Sequence, residues 1–505
     1  MDPATLSNLS STGSFLPEIT LTVAICAAFL IDLALPGRGR RFHGGVALIG
    51  LAGALGSTLW LMSGDEGSRL LFNGLVALDP FAIFFKLLFI AVTALTVLFI
   101  SKSPEVADKG SAELHAILLS TCLGMFVMAS SNDMLMLYLS LELVSLTSYI
   151  LAGYRKADRA SSEAALKYVI YGGVASGTML YGLSILYGLT GTTSLPGMRE
   201  ALAQSEGTEL ATLVGVALSL AGFGYKVAAV PFHMWAPDVY EGAPLPVTAF
   251  LSVGPKAAGF AALTRFFYVA FVEPGSWGGA PGGLQVAGAI PWPVLVGIMA
   301  ALTMTVGNFA AIGQRNIKRL LAYSSIAHAG YMLLAFVALS EAGLTGLLFY
   351  LVVYLSMNLG AWVTAMGVSA AIGSTDLKDW RGLGFRAPAA AIAMTIFLFS
   401  LTGLPPLAGF IGKFHIFYAV IAKGGFWLVT LGIIGVLNSV VSLYYYAYVV
   451  KTMFLDEPAE DASEPFRIPP LYAALQMVLV VPTVVLGIYW GPVYEFVKSS
   501  IRLLI

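Results

Sequence analysis

Five ionisable side chains stand far inside apolar stretches of this sequence: Glu142, Lys167, Lys226, Lys256 and Lys413. A charge at the centre of a bilayer costs roughly 2.5–3.5 kcal/mol on insertion scales, so such residues are rare and mark ion or proton paths. Carboxylates and amines can exchange protons there because burial disfavours the charged form and a nearby opposite charge restores it. Glu142, in Tyr138-Leu-Ser-Leu-Glu142-Leu-Val-Ser, stands ten residues into its apolar run, about 15 Å deep at 1.5 Å per residue. Placed beside Lys226, it would keep that lysine protonated, and loss of the contact would release the proton. Lys256, after Gly254-Pro255, is expected to connect two halves of a path, and Lys413, in Gly412-Lys413-Phe414-His415, to end it near the outer side. His328 and His233 are further relay candidates because imidazole titrates near neutrality. Lys167 is a candidate too, only about two turns from a basic loop. Each residue also has a plain reading: a static ion pair for Glu142, snorkelling for the lysines, interhelical glue for the histidines. Lys86 is expected to snorkel or pack, and Arg265 to anchor at an interface.

Other chemistry is not encoded. Cys26 and Cys122 both fall in apolar runs, and there is no Cys-x-x-Cys, His-Glu-x-x-His or phosphate-binding glycine loop. Gly222-Phe-Gly224-Tyr-Lys226 lies within a hydrophobic helix and lacks a third glycine. No cofactor is expected on this chain, and no metal.

The elements that must position these residues are membrane helices. The chain has 505 residues, 58% hydrophobic and 11% charged, against about 25% charged in soluble proteins. The runs are about 20 residues long and do not alternate, which predicts an all-α polytopic membrane protein of about fourteen transmembrane helices. They start near Phe15, His43, Leu78, Ser111, Asn132, Ser161, Ala211, Ala243, Ile290, Ile317, Gly343, Ala387, Gly425 and Ile468. The first run lacks a basic leader and contains Glu18, so it reads as a spanning helix and not a cleaved signal.

Charge is sided. Loops after spans 1, 3, 5, 9, 11 and 13 carry Arg38, Arg40, Arg41, Lys102, Lys109, Arg155, Lys156, Arg159, Arg315, Lys318, Arg319, Lys378, Arg381, Arg386, Lys451 and Arg467. The opposite loops carry only Arg69, Arg199 and Lys423, with Lys498 and Arg502 in the tail. The positive-inside rule then places the first set in the cytoplasm and both termini on the periplasmic side.

Two spans contain proline breaks: Val230-Pro231 just after Lys226 in span 7, and Gly403-Leu-Pro405-Pro406 just before Lys413 in span 12. Proline removes a donor and clashes with the preceding turn, and such backbone is tolerated at membrane depth only against protein or a wet cavity. Paired interruptions point to a transport site between inverted repeats. We expect two inverted five-helix repeats, spans 4–8 (residues 111–273) and spans 9–13 (290–454). Residues 1–110 add three helices, and 455–505 add an acidic loop (Asp456 to Pro469), span 14 and a tail.

These stretches together resemble the antiporter-like membrane subunits of respiratory complex I, the NADH-quinone oxidoreductase, which are related to Mrp antiporters. The resemblance rests on Leu139-Ser-Leu-Glu142-Leu-Val-Ser, on Lys226 to Pro244, on Gly254-Pro-Lys256, on Gln314-Arg-Asn-Ile-Lys-Arg-Leu-Leu-Ala-Tyr-Ser-Ser, and on Gly403-Leu-Pro-Pro-Leu-Ala-Gly-Phe-Ile-Gly-Lys413. It covers about Leu114 to Phe454. Within the family the chain is most similar to the N-type subunits. Lys413 stands where M-type members carry glutamate, the sequence ends soon after span 14 where L-type members continue into a lateral helix, and Asp376 to Leu383 suits the N type. The resemblance implies Glu142 and Lys226 as a coupling pair, Lys256 as connector and Lys413 as exit-side site. It implies a proton-translocating subunit in a bacterial inner membrane, driven by quinone reduction elsewhere. FMN, iron–sulfur clusters, NAD and quinone would be held by partner subunits, and the partners would be neighbouring antiporter-like and small membrane subunits and lipids, with no nucleic acid. The alternatives are an Mrp-type monovalent cation/proton antiporter subunit, and a scaffold that merely tolerates its lysines.

Overall fold

Apolar runs of this length have one stable form in a lipid environment, a helix that satisfies its own backbone, and the computed structural model is built almost wholly of them. It describes residues 4–34, 42–64, 68–106, 112–204, 207–273, 276, 284–287, 290–458 and 464–503. Arg38, Arg40, Arg41 and Lys109 of the basic loops, and part of the acidic loop, lie outside the described residues.

The first helices are α1 (Leu16–Ala34), α2 (His43–Ser63), α3 (Pro80–Ile100), α4 (Ala112–Ser130), α5 (Met134–Ala152) and α6 (Arg159–Thr190). They are followed by α7 (Leu195–Gln204), α8 (Glu209–Val227), α9 (Trp235–Gly242), α10 (Leu245–Ala270), α11 (Trp292–Ile312), α12 (Ile317–Val337) and α13 (Glu341–Ile372). The chain closes with α14 (Leu383–Arg386), α15 (Pro388–Thr402), α16 (Ala408–Lys423), α17 (Phe426–Phe454), α18 (Pro470–Ile488) and α19 (Gly491–Ser500). Thirteen helices among the described residues are long and apolar enough to cross a membrane. The broken span 12 supplies α15 and α16, each too short to count alone. The all-α, multi-pass expectation therefore holds, with span starts close to those read from hydropathy. The short helices α7, α14 and α19 were not foreseen. Nor was a small sheet in which β1 (Ala4–Thr5) pairs parallel with β2 (Arg69–Leu71), and β2 antiparallel with β3 (Val76–Leu78).

Helix starts follow capping chemistry. Asp133 accepts from Leu135 N and Met136 N at the head of α5, Asp158 from Ala160 N on α6, and Ser340 from Gly343 N on α13. Each cap satisfies a backbone donor that the first turn cannot. The interior helices are apolar all round, as buried helices are: α10 is buried along its whole length, and α12 and α13 nearly so.

The basic loops meet at one end. Arg155 lies 3.9 Å from Glu105, whose carboxylate accepts from Leu245 N. Lys318 Nζ donates to Ala243 O, and Leu377 N to Arg315 O. At the other end Asn132 N donates to Leu75 O, Met134 N to Thr193 O, and Arg199 Nη1 to Val269 O.

Two charges outside the expected path are both buried in ion pairs. Lys86 does not snorkel but packs inside, and it does so as half of an ion pair. Its Nζ lies 2.6 Å from Glu18 Oε1 with both side chains buried. Arg265 is no interface anchor. It is fully buried, donates from Nη1 and Nη2 to the two oxygens of Asp79 at 2.6 Å each, and donates from Nε to Ala129 O. A buried charge needs a partner and satisfied donors, and helices 1 and 3 supply the acids.

Candidate functional site

The first break lies between α8 and α9. Ala228 turns the chain left-handed (φ 59°), and the Val230-Pro231 peptide bond is cis. The groups that the break uncovers find side chains: Val230 N donates to Thr303 Oγ1 of α11 at 2.9 Å, and Trp235 Nε1 donates to Tyr225 O at 3.1 Å. Lys226, one residue before the end of α8, is 2% exposed. Its Nζ donates to Ser145 Oγ of α5 at 2.9 Å, while that hydroxyl donates to Leu141 O. The direct Glu142–Lys226 ion pair is not formed. Ser145, one turn on from Glu142, takes the amine instead, and Glu142 Oε1 is buried without a hydrogen-bond partner. The Lys226 stem lies against Gly259 of α10, where an added Cβ would stand 3.1 Å from Lys226 Cγ. His233 sits half-buried in the break, its Nδ1 also without a partner.

Lys256 follows on α10, one turn before Gly259 and equally buried at 2%. Its Nζ donates to Ser325 O at 2.8 Å and Ser325 Oγ at 2.5 Å, and the Tyr354 hydroxyl donates to the same Oγ at 2.9 Å. Ser324 and His328 stand beside Ser325 on α12. Ser324 Oγ and the Tyr446 hydroxyl are 2.5 Å apart, and His328 bridges the Tyr350 hydroxyl (Nδ1, 2.6 Å) and the Tyr446 hydroxyl (Nε2, 3.2 Å). His328 is thus the hub of a hydroxyl cluster contributed by α12, α13 and α17.

The second break lies between α15 and α16. Gly403 adopts φ 92°, a conformation suited to glycine, and the Pro405-Pro406 bond is cis. Lys413, 3% exposed, turns back to this break. Its Nζ donates to Thr402 O at 2.8 Å and Ser439 Oγ at 2.9 Å, and Ser439 itself donates to Thr402 O. The amine also stands 4.4 Å from the Tyr331 ring centre. From that ring a polar chain continues: Asn308 Nδ2 donates to the Tyr331 hydroxyl, and the Tyr445 hydroxyl donates to Asn308 Oδ1. Lys413 is thus buried at the break itself.

Lys167 stands apart. It pairs with Asp238 (2.6 Å) and Glu163 (2.8 Å), and Arg319 pairs with Asp238 and Glu241 (2.7 Å each), around a cavity of about 330 Å³ at the basic end. Sequence reading missed Ser145, Ser325, Tyr350, Tyr354, Tyr446, Asn308 and Ser439. The run Tyr444-Tyr445-Tyr446 and the Ser324-Ser325 pair inside apolar spans were the available signals. Among the described residues no carboxylate lies within 4 Å of Lys226, Lys256 or Lys413. The arrangement therefore offers three buried amines, each hydrogen-bonded to neutral oxygen, along a line of hydroxyls and one imidazole.

Residues 131–439 match the family described as NADH:quinone oxidoreductase/Mrp antiporter, TM. The chain is 49% identical over 519 residues to NADH-quinone oxidoreductase subunit N 2 of Sorangium cellulosum, covering 100% of both. It is 48% identical over 518 residues to NADH-quinone oxidoreductase subunit N of an Anaeromyxobacter species, covering 99% of this chain and 98% of that one. A chain of respiratory complex I from Thermus thermophilus with bound aureothin superposes with a TM-score of 0.77 at 33% identity, over 96% of this chain and 99% of that one.

Proposed function

The chain belongs to the family of NADH:quinone oxidoreductase/Mrp antiporter transmembrane subunits, and from that premise we propose that it is the N-type proton-translocating membrane subunit of a bacterial NADH-quinone oxidoreductase. It acts in the membrane arm of that complex, with the basic end in the cytoplasm and both termini in the periplasm. FMN, iron–sulfur clusters and quinone belong to partner subunits, whose quinone reduction drives this one. Protons pass along Glu142, Lys226, Lys256, His328 and Lys413, with water in the cavities at the two breaks and His233 beside the first. The observation that carries this reading is the set of three lysines, nearly wholly buried and, among the described residues, held only by neutral partners. An amine held this way can be charged or neutral without breaking a salt bridge, and Lys226 and Lys413 alternate between the two states through a cycle. Moving one charge across 100 mV takes about 2.3 kcal/mol, so the coupling from neighbouring charges must be of that order.

The domain reading follows: spans 4–8 and 9–13 form two inverted repeats, each contributing one broken helix. The family also covers Mrp antiporters, but near-full-length likeness to two subunits N favours the complex I reading. Co-purification of flavin and iron–sulfur subunits with this chain separates the two.

The decisive experiment replaces Lys226 by Ala in native membranes, with assembly confirmed, and measures NADH-driven quinone reduction and proton uptake into vesicles. Both are expected to fall about tenfold or more, a barrier change of at least ~1.4 kcal/mol. Lys226→Arg, which keeps its proton, is expected to fail similarly. Normal pumping by either variant removes Lys226 from the path.

A further inference from the structure

The basic end carries a cavity that the proton path does not use. Arg315, Lys378 and Arg381 line about 250 Å³ against Tyr448 and Thr452 of α17, with Asp376 as the acid among them. Arg315 Nη1 donates to the Tyr448 hydroxyl at 2.8 Å, and its guanidinium stands 5.7 Å from that ring centre. Lys378 reaches Asp376 only at 4.0 Å, with 71% of its side chain exposed. Asp456 stands beside Arg381 and Thr452 and is itself paired with Lys451 at 2.8 Å, so four cations face two carboxylates and the site keeps net positive charge.

From Tyr448 an exposed apolar stripe runs along α17 through Tyr444, Val440, Leu437 and Ile433. Val440 and Val436 lie eight and twelve residues from Tyr448, about 12 and 18 Å along the helix. Both valines line a second cavity of about 410 Å³ at the break between α15 and α16, walled by Phe410, Phe414 and Phe417, with Lys413 and Ser439 as polar members. One leaflet of hydrocarbon is roughly 15 Å thick, half of a ~30 Å core. The basic cavity and the apolar one are therefore separated by about the length of a lipid tail.

We propose that this face binds an acidic phospholipid. Its phosphate sits on Arg315, Lys378 and Arg381, and one acyl chain follows the α17 stripe to end in the cavity beside Lys413. Basic pockets of this kind select anionic headgroups over zwitterionic ones, and the chain end closes the lipid-facing mouth of the cavity, leaving its inner part beside Lys413 to water. The inference concerns a ligand and does not depend on the proton path.

The test uses the assembled complex in nanodiscs and two photoreactive probes, phosphatidylglycerol and phosphatidylcholine, each with a diazirine at the end of one acyl chain. Adducts are mapped by mass spectrometry. Phosphatidylglycerol is expected to label the Phe410 to Val440 segment about fivefold or more over phosphatidylcholine, the ratio for about 1 kcal/mol in all, the contribution of one basic residue near the surface. Arg315→Gln with Arg381→Gln is expected to lower the first to the level of the second. Equal labelling by the two probes in the unmodified complex means annular lipid only and overturns the proposal. So does absence of label, which means that another subunit covers the face, and so does labelling that the double substitution leaves unchanged.

Discussion

Lys226 reaches away from its break to Ser145 on α5, a helix that also carries Glu142, whereas Lys413 turns back to the Thr402 carbonyl that its own break uncovers. Both stems pass a glycine, Gly259 for Lys226 and Gly403 for Lys413, and both breaks contain a cis X-Pro bond. The backbone device is shared, but its surroundings differ. At the first break, the uncovered Val230 N–H is held by Thr303 from α11, and Lys226 donates to Ser145, one turn from Glu142 on α5. At the second, Lys413 helps to cap the broken helix, and its further contacts are Ser439 and a tyrosine ring. Similar chain irregularities thus host one amine held by a hydroxyl of another helix and one held by a carbonyl of its own broken span.

The sharpest way to break this comparison is a double-mutant cycle. Glu142→Gln and Lys226→Met should each lower NADH-driven pumping by about tenfold, and the double variant should be little worse than either alone. Coupled neighbours show interaction terms of roughly 0.5–3 kcal/mol, distant ones about 0.3–0.5 or less. Glu142→Gln combined with Lys413→Met should therefore be close to multiplicative. Equal coupling of Glu142 to both lysines would end the distinction between the breaks.

A second contrast concerns the backbone. Thr303→Val leaves Val230 N–H unpaired in a buried break, at about 1–3 kcal/mol. It should lower the thermal midpoint of the assembled subunit. Ser400→Ala frees Gly409 N–H at the second break, where Ser400 Oγ is its acceptor at 3.0 Å, and should cost a similar amount. Proton pumping per quinone reduced should suffer more from Thr303→Val, because Thr303 ties the first break to a second helix, α11, whereas Ser400 belongs to the broken helix itself.

What could be read in advance was what is local in the chain. Apolar run length placed the spans, proline placed the breaks, and Lys226, Lys256 and Lys413 announced their own burial, whereas Lys167, nearer a basic loop, stays partly exposed in ion pairs. The partners were not local. Asp79 and Arg265 are 186 residues apart, and nothing near Arg265 betrays an acid; its position near a helix end suggested an interface instead. Glu18 and Lys86 were both visible as charges within apolar runs, and opposite sign was the unused signal. Ser145, Tyr350 and Tyr446 are ordinary residue types in membrane helices, so only packing could assign them to the lysine and the histidine. The Glu142–Lys226 contact was inferred from depth, charge and the family resemblance, and a serine one turn away from Glu142 is the acceptor instead.

The smallest predicted effects separate the two amines most finely. Ser145→Ala removes the one hydrogen-bond acceptor that Lys226 has among the described residues, while Ser439→Ala leaves Lys413 its bond to Thr402 O. A typical hydrogen bond contributes about 0.5–1.5 kcal/mol. Ser145→Ala should therefore slow pumping several-fold, and Ser439→Ala by less, when both are assayed as proton uptake per quinone reduced in assembled complexes. The alanine at 145 also gives Lys226 reason to turn toward Glu142, one turn away on the same helix. Restoring charge contact in that way predicts a further observable: Glu142→Gln added to Ser145→Ala should be more damaging than Glu142→Gln alone. If Ser439→Ala proves the more harmful serine substitution, Lys413 depends on its neutral partners more than Lys226 does, and the ranking of the two breaks reverses.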